Sequence, residues 1–389
     1  MRESLIDVTR LVDRAMQGRL PTGVDRVSLE YVRHFGDRAT ALVRFAGLWI
    51  ELSEADSARV FAALLYPTHN FNALVKLAVA KALPGSLGRR FREPRFFFNT
   101  GHSGLERPYY ADFLVRSSLK PLYLVHDLIP ITHPEYCRAG EAARHEVRMR
   151  TMLRTGHGIV AISAATLEEF TAHAKAMAFP LPATAVALLA PAQLPAPAPA
   201  RPMEAPYFVM LGTIEPRKNH WLMLQLWRQL IERLGEAAPR LVIVGQRGWL
   251  CDNVMDMLER CELLQGFVFQ QAGCSDAELA TWLGHSQALL FPTFAEGYGM
   301  PLAEALALGV PVIASDLPAF REIAGDIPEY ADPLDGRRWA QLVVEYAQPH
   351  SEMRRDQCRK MAGLALPTWQ AHFQQVEALM EQLRVAAKP

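Results

Sequence analysis

Cysteine is scarce: five in 389 residues. Cys137, Cys251, Cys261, Cys274 and Cys358 form no C-x-x-C pair and are odd in number, which argues against a disulfide framework and a zinc knuckle. No run approaches the roughly 18 apolar residues of a membrane span. The opening MRESLIDVTRLVD carries acidic residues where a signal peptide would be apolar. These absences predict a cytoplasmic protein, or one held at the inner face of the cell membrane without crossing it. Neither sign of charge prevails, since 41 Lys+Arg balance 41 Asp+Glu, so nothing in the total points to a nucleic-acid partner. There is no internal repeat, and no G-x-G-x-x-G follows a strand-like run, which counts against a nicotinamide dehydrogenase.

What is present is material for two cores: half the residues are hydrophobic and 21% are charged. The charge is unevenly spread. Residues 1–200 hold 24 basic and 18 acidic residues, net +6, and residues 201–389 hold 17 and 23, net −6. The clearest seam is LAPAQLPAPAPARPMEAP, residues 189–206, where proline fixes φ and removes backbone donors, making a stiff extended connector. It separates an N-terminal domain, 1–200, from a C-terminal domain, 201–366.

Beyond the seam, YFVMLGTI, LVIVG, FVFQQAG, ALLFPT and VPVIAS are apolar, β-rich runs separated by helical stretches. That alternation predicts a parallel sheet covered by helices. In the first half SLIDVTRLV, ATALVRFAG, PRFFFNTG, KPLYLVHD and GHGIVAIS read as strands, and VSLEYVRHF after LPTG as a helix, giving a second parallel sheet. WQAHFQQVEALMEQL, residues 369–383, is an amphipathic helix.

The most informative segment is FPTFAEGYGMPLAEALALGVPVIAS, residues 291–315. It reads as strand, glycine-containing loop, helix opened by Pro301 and stopped near Gly309, then strand. Glu296 in the loop and Glu304 about one turn inside the helix stand in E-x7-E spacing. Gly297 and Gly299 let the backbone approach a ligand closely, and the unpaired amides of a helix start suit an anion such as a diphosphate. Carboxylates repel phosphate but suit hydroxyl donors, so the pair reads as acceptors for sugar hydroxyls on either side of a bound phosphate. Taken singly, Glu304 also fits a dipole-favoured helix residue and Glu296 a solvated loop charge.

Some 80 residues earlier, YFVMLGTI leads into EPRKNHWLMLQLWRQL. Arg217 and Lys218 fall between a strand's carboxyl end and a helix start. Adjacent cations there can neutralise a departing diphosphate without a metal, Arg as a fork and Lys as a point charge, although a solvated turn is the plainer reading of such a pair.

Through GTIEPRKN, VIVG, QAGCSDAEL, and above all PTFAEGYGMPLAEALALGVPVIAS followed by EIAGDIPEYADP, residues 207–340 resemble the donor-binding domain of the family 4 retaining glycosyltransferases. The resemblance implies a GT-B fold: α/β, two doubly wound Rossmann-like domains facing across a cleft. It implies that Arg217 and Lys218 bind the donor diphosphate, Glu304 the nucleotide ribose and Glu296 the hydroxyls of the transferred sugar. Gly212, Gly273, Gly297, Tyr298, Gly299, Met300, Pro301 and Leu302 would complete the donor site. LPTGVDRVSLEYV resembles the glycine loop after the family's first strand, which brings in Gly23. YLVHDLIPITHPEY resembles the segment that sets a histidine beside the reacting sugar, which makes His126, next to Asp127, the candidate ahead of His133. His126, Arg217, Lys218 and Glu296 form the implied catalytic set, and the last helix, 367–389, is expected to pack back on the first domain.

FFFNTGHSGL offers Asn99, His102 and Ser103 as acceptor contacts or as turn chemistry. Ser163 reads as a helix cap. Residues 71–95 carry Lys76, Lys81, Arg89, Arg90, Arg92 and Arg95 against Glu93, beside an apolar helical stretch. Such a segment suits an anionic membrane surface, and equally a solvated helix with a basic loop. The expectation is a metal-independent, cofactor-free hexosyltransferase. Its substrates would be a nucleotide sugar, with GDP-mannose ahead of UDP- or dTDP-sugars, and a growing, lipid-linked surface glycan of the O-antigen or capsule kind. A sugar-nucleotide epimerase, a phosphorylase and a non-catalytic binding subunit compete less well. The last conflicts with the intact basic pair and both glutamates, and the phosphorylase lacks a pyridoxal-phosphate lysine motif.

Overall fold

Among the residues that the computed structural model describes, 2–87 and 91–385, thirteen strands form two separate sheets. The first contains β1 (Ser4–Asp7), β2 (Ala39–Phe45), β3 (Leu48–Glu51), β4 (Phe96–Asn99), β5 (Lys120–Val125), β6 (Gly158–Ala161) and β7 (Ala183–Val186) in the order 3-2-1-4-5-6-7. Every pairing is parallel except β2 with β3. The second contains β8 (Tyr207–Leu211), β9 (Arg240–Val244), β10 (Val268–Gln271), β11 (Leu289–Phe291), β12 (Val312–Ser315) and β13 (Glu329–Ala331) in the order 10-9-8-11-12-13, all parallel. The α/β, doubly wound class read from the sequence is therefore present twice.

Local chemistry explains where the elements differ from expectation. SLIDVTRLV, read as one strand, stops at Asp7 because the Asp7 carboxylate accepts the Thr9 N–H at 3.0 Å, and a helix, Thr9–Met16, starts there. ATALVRFAG continues past its end into β3. Ala46 and Gly47 both have positive φ, 50° and 79°, the two-residue turn that folds a strand back on its neighbour. β13 has only three residues, too few to register as an apolar run.

Two compact units emerge from the contacts. One comprises Met1–Leu128, Ala143–Leu189 and Trp369–Pro389, the other Ile129–Ala142 and Ala190–Thr368. Ile129–Ala142, which the sequence reading left in its domain 1–200, thus belongs to the second unit. The final helix, Trp369–Val385, belongs to the first. Phe373 packs against Tyr31 and Phe35 and stacks on His34 at 3.9 Å. The Tyr31 hydroxyl donates to His372 Nε2 at 3.0 Å, while His372 Nδ1–H donates to the Ala187 carbonyl at 3.1 Å. In the second unit Phe208, Met210, Leu241, Ile243, Leu290 and Ile313 on the strands meet Leu224, Trp227, Trp339 and Tyr346 on the covering helices, all nearly inaccessible to water.

Candidate active site

Strand order reverses between β8 and β11, and in open parallel sheets the crevice beyond the carboxyl ends of such strands is where ligands bind. β8 runs into Gly212–Lys218 and β11 into the loop through Glu296, so both basic residues and the first glutamate arise at that crevice. Lys218 and Arg217 both pair with Glu296 Oε1, Arg217 at 2.5 Å, and Arg217 also holds Glu215 at 2.8 Å. Arg217 Nη1–H donates to the Ala295 carbonyl at 2.9 Å, and the Arg217 carbonyl accepts from the Phe294 N–H at 2.8 Å. The Lys218 ammonium lies 4.7 Å from the centre of the Phe291 ring. Two cations and two carboxylates thus form a nearly neutral, largely buried cluster.

Burial lowers the Lys218 pKa below the usual lysine value, and Glu296 offsets this only in part. Burial alone would raise Glu296, but Arg217 and Lys218 outweigh it and hold the carboxyl below its ordinary range. Gly212 has φ of 135°, and a β-carbon there would touch the Lys218 side chain at 3.4 Å, so glycine lets the lysine lie against the backbone.

The loop leads into a helix, Met300–Ala307, with Gly299 at its N-cap and Pro301 at its second residue. Gly299 has φ of 125°, and a β-carbon would come within 2.6 Å of the Phe320 ring, so this position accepts only glycine. Glu304 lies one turn into the helix and is buried, as are Tyr298 and Leu302. Gly297, Met300 and Pro301 are half-buried. Gly273, by contrast, has an ordinary φ and open space around it.

In the first unit, Asp25 is buried in the first turn of a helix, Gly23–Phe35. It accepts from the Thr22 N–H at 2.8 Å and hydroxyl at 2.6 Å, and pairs with Arg10 at 2.7 Å and Arg14 at 2.8 Å. Burial alone would raise the Asp25 pKa, but the Thr22 bonds and Arg10 bring it below normal. Gly23 has no heavy atom within 4 Å of where a β-carbon would stand, which leaves open ground at the helix start.

His126 is buried, and its Nε2–H donates to the Thr100 carbonyl at 2.7 Å. Burial lowers its pKa, with Thr100 and Asp127 opposing, so near pH 7 the ring is neutral and Nδ1 carries the lone pair. His102, 5.2 Å away between ring centres, donates from Nε2 to the Leu124 carbonyl at 2.7 Å and is also kept neutral, chiefly by burial. Asn99 spends its amide on the Ser103 carbonyl, 2.9 Å, and the Tyr110 hydroxyl, 2.7 Å. Arg44, paired with buried Asp7 at 2.8 Å, donates to the Ser103 hydroxyl at 2.7 Å. Asn99 and Ser103 therefore hold the turn after β4. Asp127, following β5, lends its carbonyl to His145 at 3.0 Å. Ser163 accepts from the Thr166 N–H and caps the helix Ala164–Ala176.

The basic stretch 71–95 is narrower than its sequence suggests. Arg95, immediately before β4, is buried rather than on the surface, its guanidinium paired with Glu51 of β3 through bonds of 2.8 and 3.0 Å. Arg89 and Arg90 lie outside the described residues. Lys76, Lys81 and Arg92 are exposed.

Sequence reasoning passed over Glu215, Arg10, Arg14 and Tyr136. Glu215 stands inside GTIEPRKN, where an acid beside two bases signalled a shared network. Arg10 and Arg14 share one helix face at i,i+4 spacing. Tyr136 stacks on Phe294 at 5.4 Å and lends its carbonyl to the Trp249 indole N–H at 2.9 Å, a long-range contact with no local signal. Among the described residues no three His, Cys, Asp or Glu side chains converge in a way that would hold a metal ion, and no helix is long and apolar enough to cross a membrane.

Two Rossmann-like sheets in one chain, the second with a cation–carboxylate cluster at its switch point, place the protein in the GT-B class of folds. Residues 196–327 match the family described as glycosyl transferases group 1, in agreement with the resemblance drawn from the motifs. It is 30% identical over 257 residues, 59% of this chain, to the serotype-specific mannosyltransferase WbdA of Escherichia coli, and spans 31% of that protein. It is 33% identical over 129 residues to the O-antigen chain mannosyltransferase B of E. coli, covering 33% of each chain. The chain thus spans about a third of the length of these curated relatives. Among solved structures, Anabaena Alr3699/HepE in complex with UDP is similar with a TM-score of 0.65 and 15% identity, covering 98% of this chain and 100% of that one. Sucrose-phosphate synthase (tll1590) from Thermosynechococcus elongatus gives the same TM-score and identity over the full length of both.

Proposed function

We propose that this chain is a retaining hexosyltransferase that moves mannose from GDP-mannose to a growing, lipid-linked surface glycan. The observation that carries the reading is the cluster Glu215–Arg217–Lys218–Glu296 at the reversal of strand order, beside a helix start cleared by Gly299. The mannosyltransferase names of the relatives support the choice of sugar, and GDP is chosen ahead of UDP and dTDP as the carrier.

In this reading the donor diphosphate displaces Glu296 from Lys218 and Arg217. The two cations then stabilise the leaving group most strongly as its charge develops in the oxocarbenium-like transition state. Glu296, relieved of its partners, accepts hydroxyls of the sugar, and Glu304 those of the ribose. Departure and attack take place on the same face, with the diphosphate helping to take the acceptor proton. His126, neutral with its lone pair on Nδ1, orients donor or acceptor hydroxyls rather than serving as the principal base. Because two fixed cations do what a divalent ion would do, chelators leave the rate unchanged. Lys76, Lys81 and Arg92, with exposed Leu77 beside them, give the first unit a face for an anionic membrane, tested by salt-sensitive vesicle binding.

The deciding experiment is turnover of purified protein with GDP-mannose and a lipid-linked glycan acceptor, alongside thermal shifts with GDP-, UDP- and dTDP-sugars. Stabilisation by GDP-mannose together with transfer of mannose supports the proposal. Stabilisation by a UDP- or dTDP-sugar alone moves the donor choice, and binding without transfer indicates a non-catalytic sugar-nucleotide-binding subunit.

A further inference from the structure

The same two strands that present the cluster at their carboxyl ends frame a second concavity at their amino ends. Arg201 precedes β8 by a few residues, and Gly284–Gln287 precedes β11. These join Gln348–Pro349 and Ser351, Arg354 and Arg355 around a cavity of about 350 Å³. That volume falls at the small end of the roughly 300–1,000 Å³ typical of ligand pockets, yet the lining is cationic: three arginines and His285 line it, and no acidic residue does. β8 has five residues, so at about 3.3 Å per residue the cavity lies roughly 15 Å from the first cluster, with the sheet between.

The positive charge here is unspent. Arg354 is half-buried and uses only its Nε–H, given to the Gln287 carbonyl at 3.0 Å, and no described carboxylate pairs with it or with Arg201. Of the carboxylates bonded to the rim, Glu352 is held by Arg355 at 2.6 Å and Glu345 by the Ser351 hydroxyl at 3.0 Å. A half-buried guanidinium without an anion is costly to maintain. Its free fork matches phosphate oxygens in pairs. The contrast with the first cluster is direct: there every cation faces a carboxylate, and here two do not.

We propose that this cavity is a second anion site, taking a small phosphate monoester or diphosphate through Arg354 and Arg201. The proposal does not depend on the transferase reading, because it uses none of that site's residues. The source of the phosphate is either a soluble metabolite or a phospholipid headgroup, and the two arms of the test separate them.

The test is calorimetric titration of inorganic pyrophosphate into the full chain carrying Lys218→Ala, which weakens the first cluster as a competing site. Saturable binding that falls at least tenfold in the added Arg201→Gln/Arg354→Gln background supports the proposal. Arg201 is exposed and its guanidinium takes part in no described hydrogen bond or ion pair, so Arg201→Gln alone should weaken binding severalfold even if Arg354→Gln fails to fold. Pyrophosphate affinity unchanged by Arg201→Gln, or binding abolished by Lys218→Ala alone, overturns it. In the second arm, phosphatidylglycerol vesicles replace pyrophosphate. Vesicle binding lost in Arg201→Gln assigns the same site to a lipid phosphate, and indifference to vesicles leaves the soluble ligand.

Discussion

Glu296→Ala separates two effects that a generic damaging substitution would not. In the free protein Glu296 neutralises both Lys218 and Arg217, and its removal takes away the carboxylate they share. Breaking a buried pair costs about 3–5 kcal/mol, because the surviving charge is left uncompensated. At roughly 2–4 °C per kcal/mol for a unit of this size, the melting temperature should fall by about 6–20 °C, a loss most domains survive. Turnover should drop by about a hundredfold or more as the sugar loses its hydroxyl acceptor. Affinity for the bare nucleoside diphosphate should move the other way, because the carboxylate that competes for Lys218 and Arg217 is gone. A gain of about 1.4 kcal/mol, or tenfold, is modest against the ~4 kcal/mol of one close charge pair at an effective dielectric constant near 20. Thermal unfolding with and without GDP measures both at once: a lower baseline with a larger ligand-induced rise. Weaker GDP binding in Glu296→Ala, or near-parental turnover, would refute the reasoning.

Lys218, its pKa lowered by burial, should lose its proton at a pH below the roughly 10.4 of an ordinary lysine, so kcat/KM falls early on the alkaline side. Lys218→Arg should abolish that limb even where overall activity is reduced, and a pH profile of both proteins checks it. Burial holds His372 at about 4, so the unfolded chain takes up a proton near pH 6.5 that the native state refuses. Stability should be full above pH 6.5 and decline by roughly 3 kcal/mol as pH falls to 4, with the decline flattened in His372→Gln in a urea series across pH. Gly299→Ala forces both an unfavourable φ and a contact with Phe320, and should lower the melting temperature and turnover together.

Much of the second sheet was readable because its strands are buried on both faces and appear as uninterrupted apolar runs, as in LVIVG and VPVIAS. The cluster was readable for a related reason: Arg217, Lys218 and Glu296 all fall just past such runs, where a parallel sheet must expose its loops. What escaped depended on partners distant in sequence. Arg95 looks like one more base in a basic stretch, and only the pairing of β2 with β3 brings Glu51 to it. β3 itself hinges on two consecutive residues of positive φ, one of them Ala46, whose side chain gives no hint of that conformation. Ile129–Ala142 follows directly from β5 in the chain, and its allegiance to the second unit rests on Tyr136 meeting Phe294, 158 positions later. Glu296 was read as a sugar-hydroxyl acceptor, whereas the free protein uses it first as a counter-ion, since nothing local to EGYG reveals that Lys218 folds against it.

The return of Trp369–Val385 to the first unit bears on how such a protein can be recombined. A second unit grafted from another protein of this fold could not replace everything after the seam, because the terminal helix would be lost with it and Tyr31, Phe35 and His34 would be left facing water. A working chimaera would have to be an internal insertion, joined at Ala190 and Thr368, and would need to carry a matching copy of the short Ile129–Ala142 excursion. Inheritance of this half of the molecule is therefore tied to a peptide encoded well upstream of it.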